Sequence, residues 1–373
     1  MILEQLRDRL SQVDRELISL IAERQRIVAE IGEHKIQTAS PTRDYARERI
    51  VLDGAREQAE QLGLDPDVAE RIMLELIRTS LTHQERSRVA ARNSGAGKRA
   101  LIIGGAGKMG GWFARFLTSQ GYAVEIADPD PTPSEFERIA DWQDSDLTHE
   151  LIVVATPIGV SRQILRDLAQ LRPEGVIFDL GSLKTPLRDG LQALVDAGCK
   201  VTSLHPMFGP DTRLLSERHV VLIDLGSEQA SAYARDLFDS TMASLVEMSV
   251  DEHDRLIAYV LGLSHAVNLA FFTALADSGE YVRRLMTMSS TTFNAQVDVA
   301  RSVALDNPHL YFEIQSLNEF GAESLHALRA ATTRIIELVA AGDEDGFVEL
   351  MLSGREYVAM REEGSQQAAA GNA

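Results

Sequence analysis

An apolar run from Lys98 to Ile103 leads directly into Gly105-x-Gly107-x-x-Gly110, and about twenty residues later a second apolar run ends on Asp128. A strand, a glycine turn, a helix and a second strand closed by an acid form the fingerprint of a dinucleotide-binding crevice. The first glycine permits a tight turn, the second lets backbone approach a pyrophosphate, and the third lets helix and strand pack closely. Phosphate then sits on free amides at the helix N-terminus, so Gly105, Gly107, Lys108, Met109 and Gly110 are expected to hold the cofactor. A carboxylate at the end of the second strand accepts hydrogen bonds from ribose hydroxyls and repels a 2′-phosphate. Asp128 therefore favours NAD over NADP.

Upstream of this unit the pattern is helical. Leu3, Leu6, Leu10, Val13, Leu17, Leu20, Ile21, Ile27, Val28 and Ile31 recur at threes and fours, predicting one helix from Ile2 to about Ile36. At 1.5 Å per residue it is about 50 Å long, more than a small domain is wide, so its apolar stripe calls for a second chain and a homodimer. A second helix is expected over 42–63, and a third from Asp65-Pro66 to about Arg88, with Asp as cap and Pro in the first turn.

Downstream, Leu151–Ala155, Val176–Leu180, Val201–Leu204 and Val220–Ile223 alternate with helical segments, which predicts a doubly wound parallel sheet. After about Ser249 the pattern is helical again. The expected fold is thus multidomain: an all-α domain over 1–89, a small-residue linker over 90–98, an α/β Rossmann domain over 99–248, an all-α domain over 249–363 and a disordered tail over 364–373.

The formal charge of −19 excludes the basic face that nucleic acid needs, and most of it falls after residue 98. No uninterrupted apolar run of about eighteen residues predicts a membrane span, and the opening Met1-Ile-Leu-Glu has no signal-peptide character. The single cysteine, Cys199, reads as a packed small residue in a reducing, cytoplasmic setting. Arg24 and Lys35, three helical turns apart, share a face of the first helix, as Ser80 and Gln84 do on the third. Such a cluster offers cations and donors without a nucleophile or metal set, which suits a small dianionic ligand.

The segments LEQLRDRLSQVDRELISLIAER, EIGEHK, P-x-R-D-x-x-R-E and S-x-x-x-Q resemble the all-helical chorismate mutase family over residues 1 to about 88. That resemblance implies a cationic pocket compressing chorismate toward its pericyclic rearrangement to prephenate. Arg7 would come from the partner subunit, while Arg24 and Arg47 would grip carboxylates. Lys35 and Gln84 would bond the breaking ether oxygen, Glu48 would take the substrate hydroxyl, and Asp44 and Ser80 would line the pocket. Donors aimed at developing charge are the usual source of catalysis where no covalent chemistry is available.

From about Arg99 to Tyr357 the segments GGAGKMG, VATPIGV, FDLGSLK and LHPMFGPD resemble prephenate dehydrogenase. In this order the two halves are similar to the bifunctional T-protein family of tyrosine biosynthesis, which implies NAD-dependent oxidative decarboxylation of prephenate to 4-hydroxyphenylpyruvate and a tyrosine effector. His205 would take the proton of the ring hydroxyl, aimed by Pro206. Ser182 would bond hydroxyl and imidazole, Lys184 would lie in the same pocket, and Thr156 and Pro157 would border the nicotinamide. His265 matches a histidine near the substrate, and His253 is expected to cap or pair at a helix start. Family members set an arginine six residues before the proline of an Asp-Pro pair; here Arg301 stands seven before Pro308 and Asn307 replaces the acid, a shift of about 100° of helix. Three alternatives stay open: non-catalytic N-terminal helices serving dimerisation or regulation, arogenate as substrate, and another hydroxyacid dehydrogenase.

Overall fold

The computed structural model describes residues 2–371, with side chains to residue 359. It divides into two compact units, residues 1–250 and 251–373. The first unit opens with α1 (Ile2–Gln37), α2 (Tyr45–Gln61) and α3 (Pro66–Arg92). Asp44 caps α2 by accepting from the Arg47 amide, and Asp65 caps α3 with Pro66 in its first turn. Gly32 is the only buried residue of α1. A β-carbon there would lie 3.0 Å from Gln84 Cγ, so this glycine sets how closely α1 approaches α3. Most of the α1 stripe, from Leu3 through Leu17 to Ile31, is exposed, with Ile21 and Val28 half-buried.

The helix α3 continues to Arg92, four residues beyond the expected end, and absorbs the first part of the predicted linker. The remainder is a packed turn. Asn93 ends the helix with φ 47°, the Gly95 amide donates to Gln120 O, and a β-carbon on Gly95 would overlap the Tyr122 ring.

Next come β1 (Arg99–Ile103), α4 (Lys108–Ser119), β2 (Ala123–Ala127), β3 (Glu137–Ile139), β4 (Leu151–Val154), α5 (Ile158–Leu171), β5 (Val176–Asp179), α6 (Arg188–Asp196), β6 (Lys200–Pro206), β7 (His219–Ile223), α7 (Glu228–Phe238) and β8 (Ser244–Met248). They build one eight-stranded sheet in the order β3-β2-β1-β4-β5-β6-β7-β8. The central strands are buried along nearly their whole length, as expected where helices cover both faces. Phe113, Phe116 and Phe238 fill the layer between helices and sheet, and Phe113 meets Phe178 of β5 edge-on.

The sheet is not wholly parallel, as the sequence pattern had suggested. β7 runs antiparallel to β6, pairing His205 with Val221 and Pro206 with Val220, and β8 follows β7 in parallel. Periodicity reports which residues are buried but not strand direction, and the short β3 and half-exposed β8 gave little signal. The reversal sets the first residues of β7 beside the last residues of β6, at the sheet edge where ligands bind in such folds.

The second unit is helical: α8 (Val250–Ile257), α9 (Ser264–Asp277), α10 (Val282–Met286), α11 (Thr291–Ala304), α12 (Pro308–Leu317), α13 (Gly321–Ala341) and α14 (Glu344–Gly371). A π-helical segment, Ala258–Leu263, joins α8 to α9. Such a segment disturbs the regular ladder, and Gln315 Nε2 donates to Gly262 O at 2.8 Å. By length and composition alone Val250–Asp277 could cross a membrane, although scattered polar residues keep it from being an uninterrupted apolar run. It also carries His253 and Asp254, fully buried and bonded to each other at 2.6 Å, the pairing expected of His253. The disordered tail expected over 364–373 lies outside the residues whose side chains are described.

Candidate active sites

Between α1 and α3, Arg24 donates to Ser80 Oγ at 2.8 Å and to Leu76 O at 3.2 Å. Burial pulls this guanidinium below its ordinary value, the mark of a cation not yet matched by an anion. Ser80 and Gln84 are buried, and Gln84 Oε1 and Gln25 Nε2 have no hydrogen-bond partner. Leaving buried amide atoms unpaired costs about 1–3 kcal/mol each, which a polar ligand would recover. Lys35 lies one turn beyond Gly32, with its ammonium donating to Thr42 O at 2.7 Å. Arg88 fastens the same loop through Ser40 O and Thr42 Oγ1.

Arg24, Ser80 and Gln84 therefore share the α1–α3 seam, and Lys35 lies at its end, against the loop that Arg88 of α3 also holds. Asp44 serves as the α2 cap, Glu48 is gripped by Arg43 at 3.0 Å, and Arg47 is exposed. Arg7 stands apart. It precedes Arg24 by about five turns of the same helix, roughly 25 Å, so one copy of the chain cannot bring both to one ligand. Sequence reasoning missed Gln25, which accepts from Ser80 of α3, and Arg43 and Arg88, whose partners lie partly or wholly in loops that no spacing pattern exposes.

In the sheet half, the tight turn contains Gly105, and the positive φ, +89°, falls on Gly104 just before the motif. A β-carbon on Gly104 would lie 2.6 Å from Ala155 O, and one on Gly105 would lie 2.5 Å from the Ile126 side chain. Gly107 caps α4 without any side-chain bond, so the first amides of the helix stay open for phosphate. A β-carbon on Gly110 would lie 2.2 Å from Gly104 O, which makes this glycine the helix–strand contact. Beside the turn is a cleft of about 330 Å³ lined by Gly105 to Lys108, Arg115, Asp130, Thr132 and Glu135. Met109 follows Lys108 in the first turn of α4. Asp128 accepts from the Ala106 amide at 3.0 Å with one oxygen and from the Asp130 amide at 2.9 Å with the other. Each oxygen keeps a further acceptor position, so a ribose diol still fits. Glycine turn, open helix end and oriented acid together suit a dinucleotide. Arg115, Asp130 and Thr132 were not foreseen, because they lie outside the fingerprint.

Thr156 and Pro157 follow β4, where Thr156 Oγ1 lies 2.8 Å from Ser161 Oγ and Pro157 precedes α5. Ser182 is half-buried just after β5. His205, 5% exposed, is the penultimate residue of β6, two positions beyond the level where Ser203 pairs with Asp179. Lys184 is fully buried, its ammonium 2.7 Å from Asp179 and 2.8 Å from Leu204 O, next to His205. An isolated cation is too costly to bury, which is why the pair forms.

In the helical unit, His265 stacks on Tyr311 with centroids 4.1 Å apart, and its Nδ1 is buried without a partner. Burial holds the imidazole below its ordinary value against the opposing effect of Asp306, and it raises the Tyr311 phenol. Arg301 is exposed in the last turn of α11, and Asn307 caps α12 in place of the acid, accepting from the His309 amide. Among the described residues no cluster suits a metal ion.

Three family profiles match in order: chorismate mutase type II over residues 6–85, the prephenate dehydrogenase nucleotide-binding domain over 113–247, and the prephenate dehydrogenase dimerization domain over 249–353. A T-protein of Enterobacter agglomerans is 28% identical over 92% of this chain and 89% of its own length. The chain belongs to the bifunctional chorismate mutase–prephenate dehydrogenase family. A second T-protein, from Haemophilus influenzae, is 26% identical over 95% of the chain and 92% of its own length. Among solved structures, prephenate dehydrogenase from Aquifex aeolicus, in complex with hydroxyphenyl propionate and NAD+, shares the fold. It has a TM-score of 0.57 and 21% identity, covering 71% of this chain and 98% of that one. This bifunctional family accounts for both halves, including the helical quarter that a stand-alone dehydrogenase would leave unexplained.

Proposed function

We propose that the α1–α3 seam rearranges chorismate to prephenate and that the edge of the sheet around His205 oxidises it, with loss of carbon dioxide, to 4-hydroxyphenylpyruvate. The carrying observation is the seam itself: a half-buried Arg24 bonded to Ser80, a buried Gln25 amide nitrogen with no acceptor, and a buried Gln84 beside them, in the same chain as a dinucleotide turn. In the first reaction Arg24 and Arg47 bind carboxylates, with Arg7 supplied by a second copy of the chain. Lys35 and Gln84 donate to the ether oxygen as its charge grows, Glu48 takes the hydroxyl, and Asp44 and Ser80 line the pocket. No group of the protein forms a covalent bond; orientation and fixed dipoles lower the barrier.

For the second reaction the turn at Gly105, Gly107 and Gly110, with the open amides of Lys108 and Met109 in the first turn of α4, holds the pyrophosphate, Asp128 holds the ribose, and Thr156 and Pro157 border the nicotinamide. Bound NAD supplies the hydride acceptor. His205 accepts the proton of the ring hydroxyl, Ser182 orients it, and release of the ring carboxylate leaves an aromatic product. Lys184 holds the backbone at Leu204 and with it the ring of His205. Arg301 and His265 are assigned to the substrate carboxylates and the tyrosine-responsive region.

The exposed stripe of α1 and the apolar Val250–Asp277 helix, within the dimerization-domain match, are assigned to a homodimer contact, which accounts for that helix without a bilayer. A cytoplasmic setting is part of this reading, supported by the lone thiol Cys199, which burial raises and so keeps unreactive. The test is His205→Asn assayed with supplied prephenate and NAD. Turnover is expected to fall by about 10²-fold or more with prephenate affinity less affected, and retained turnover removes His205 from the proton transfer.

A further inference from the structure

Glu85 follows Gln84 on α3 but lies about 100° around the helix, directed at the dinucleotide-binding half. It is 4% exposed, and its two carboxylate oxygens accept from two backbone amides of that half: Leu215 at 2.9 Å and Met242 at 2.7 Å. Burial pushes the carboxyl up and the two amides pull it back down. Leu215 belongs to the loop 207–218, which leaves β6 immediately after His205 and Pro206; Met242 leads into β8.

Arg43 reaches the next two residues of the same loop. Its Nη1 donates to Ser216 Oγ and to Glu217 Oε1, both at 2.7 Å, while Nε and Nη2 each hold a Glu48 oxygen at 3.0 Å. Glu217 adopts φ 62°, a left-handed conformation that a residue with a β-carbon occupies only when its surroundings enforce it. Trp112 of α4 also fastens the loop, donating to Thr212 O at 2.9 Å. The antiparallel turn into β7 makes this possible, because it carries the chain from His205 back along the edge of the sheet beneath α3.

We propose that the loop 207–218 is a shared wall of the two active sites, with Glu85 and Arg43 as its positioning residues. Glu85 fixes the loop relative to His205, and Ser216 with Glu217 fixes Arg43 and through it the mutase-site carboxylate of Glu48. Each half thus supports a residue of the other. The proposal rests on the bifunctional reading.

The test uses the full-length protein. Glu85→Gln keeps the shape but turns an amide nitrogen toward one of the two N–H donors. With supplied prephenate, kcat/KM for prephenate is expected to fall about tenfold, while KM for NAD stays within about twofold because Glu85 does not touch the glycine turn. Ser216→Ala removes one hydroxyl of the dehydrogenase half and is read in the opposite direction. Its KM for chorismate is expected to rise about threefold with kcat less affected. Prephenate kinetics unchanged in a folded Glu85→Gln protein overturn the role of Glu85, and an unchanged chorismate KM in Ser216→Ala overturns that of Arg43. If Glu85→Gln does not fold, Ser216→Ala alone decides. Wild-type protein in the same assays separates failure of the bifunctional reading, which would silence one reaction there, from failure of the shared wall.

Discussion

Gly110→Ala adds one methyl group at the contact between α4 and the glycine turn. The new carbon would lie 2.2 Å from Gly104 O, 2.9 Å from Gly104 C and 2.9 Å from Gly105 Cα, all backbone atoms that no rotamer change can clear. Real β-carbons essentially never approach within 3.0 Å, so the helix start and the turn must separate by at least about 0.8 Å. Overpacking of this kind costs about 1–3 kcal/mol. The displaced atoms are also those assigned to the pyrophosphate. If that cost falls on the bound geometry, NAD affinity drops about five- to 150-fold. Titration calorimetry with NAD gives the affinity directly, and chorismate turnover serves as an internal control, since neither Gly104 nor Gly110 contacts the mutase seam. NAD affinity within about twofold of wild type, in a protein that melts normally, would refute the argument.

Lys35→Ala should lower chorismate rearrangement by about 10²–10³-fold, the usual loss when one donor to developing charge is removed, with supplied prephenate oxidised nearly as before. Equal loss of both activities in kinetic assays would contradict that separation. Asp128→Ala should cut the preference for NAD over NADP about tenfold or more, measured as a ratio of kcat/KM values; an unchanged ratio would move the ribose contact to another residue such as Asp130. Because burial lowers His265 from its ordinary value of 6.5, the folded protein takes that proton less readily than the unfolded chain does. The contribution to stability is complete above that value and is lost as pH falls through the lowered folded one. Urea melts at about pH 7.5 and 5.5 should therefore fall further apart for wild type than for His265→Phe, and equal differences would remove His265 as the source.

Much of the architecture is legible in the residues because burial leaves a period. The α1 stripe, the Asp65-Pro66 start and the apolar runs that became β1, β4, β5, β6 and β7 fall within a few residues of their expected bounds. Long-range geometry is not legible in that way. The direction of β7, the pairing of Lys184 with Asp179, and the positive φ at Gly104 depend on neighbours that meet only after folding. Helical spacing grouped Arg24 with Lys35 on α1 and Ser80 with Gln84 on α3, whereas Arg7, Asp44, Arg47 and Glu48 came only from the family resemblance. Glu85 and Arg43 were missed because their partners are backbone amides and loop side chains more than a hundred residues away.

The most direct test of the bifunctional account is absorbance at the NADH band after mixing purified protein with chorismate and NAD, with no prephenate added. The account predicts that NADH appears, because the first site makes the substrate of the second. No signal with chorismate, followed by signal on adding prephenate, would contradict it and leave a dehydrogenase joined to inactive helices.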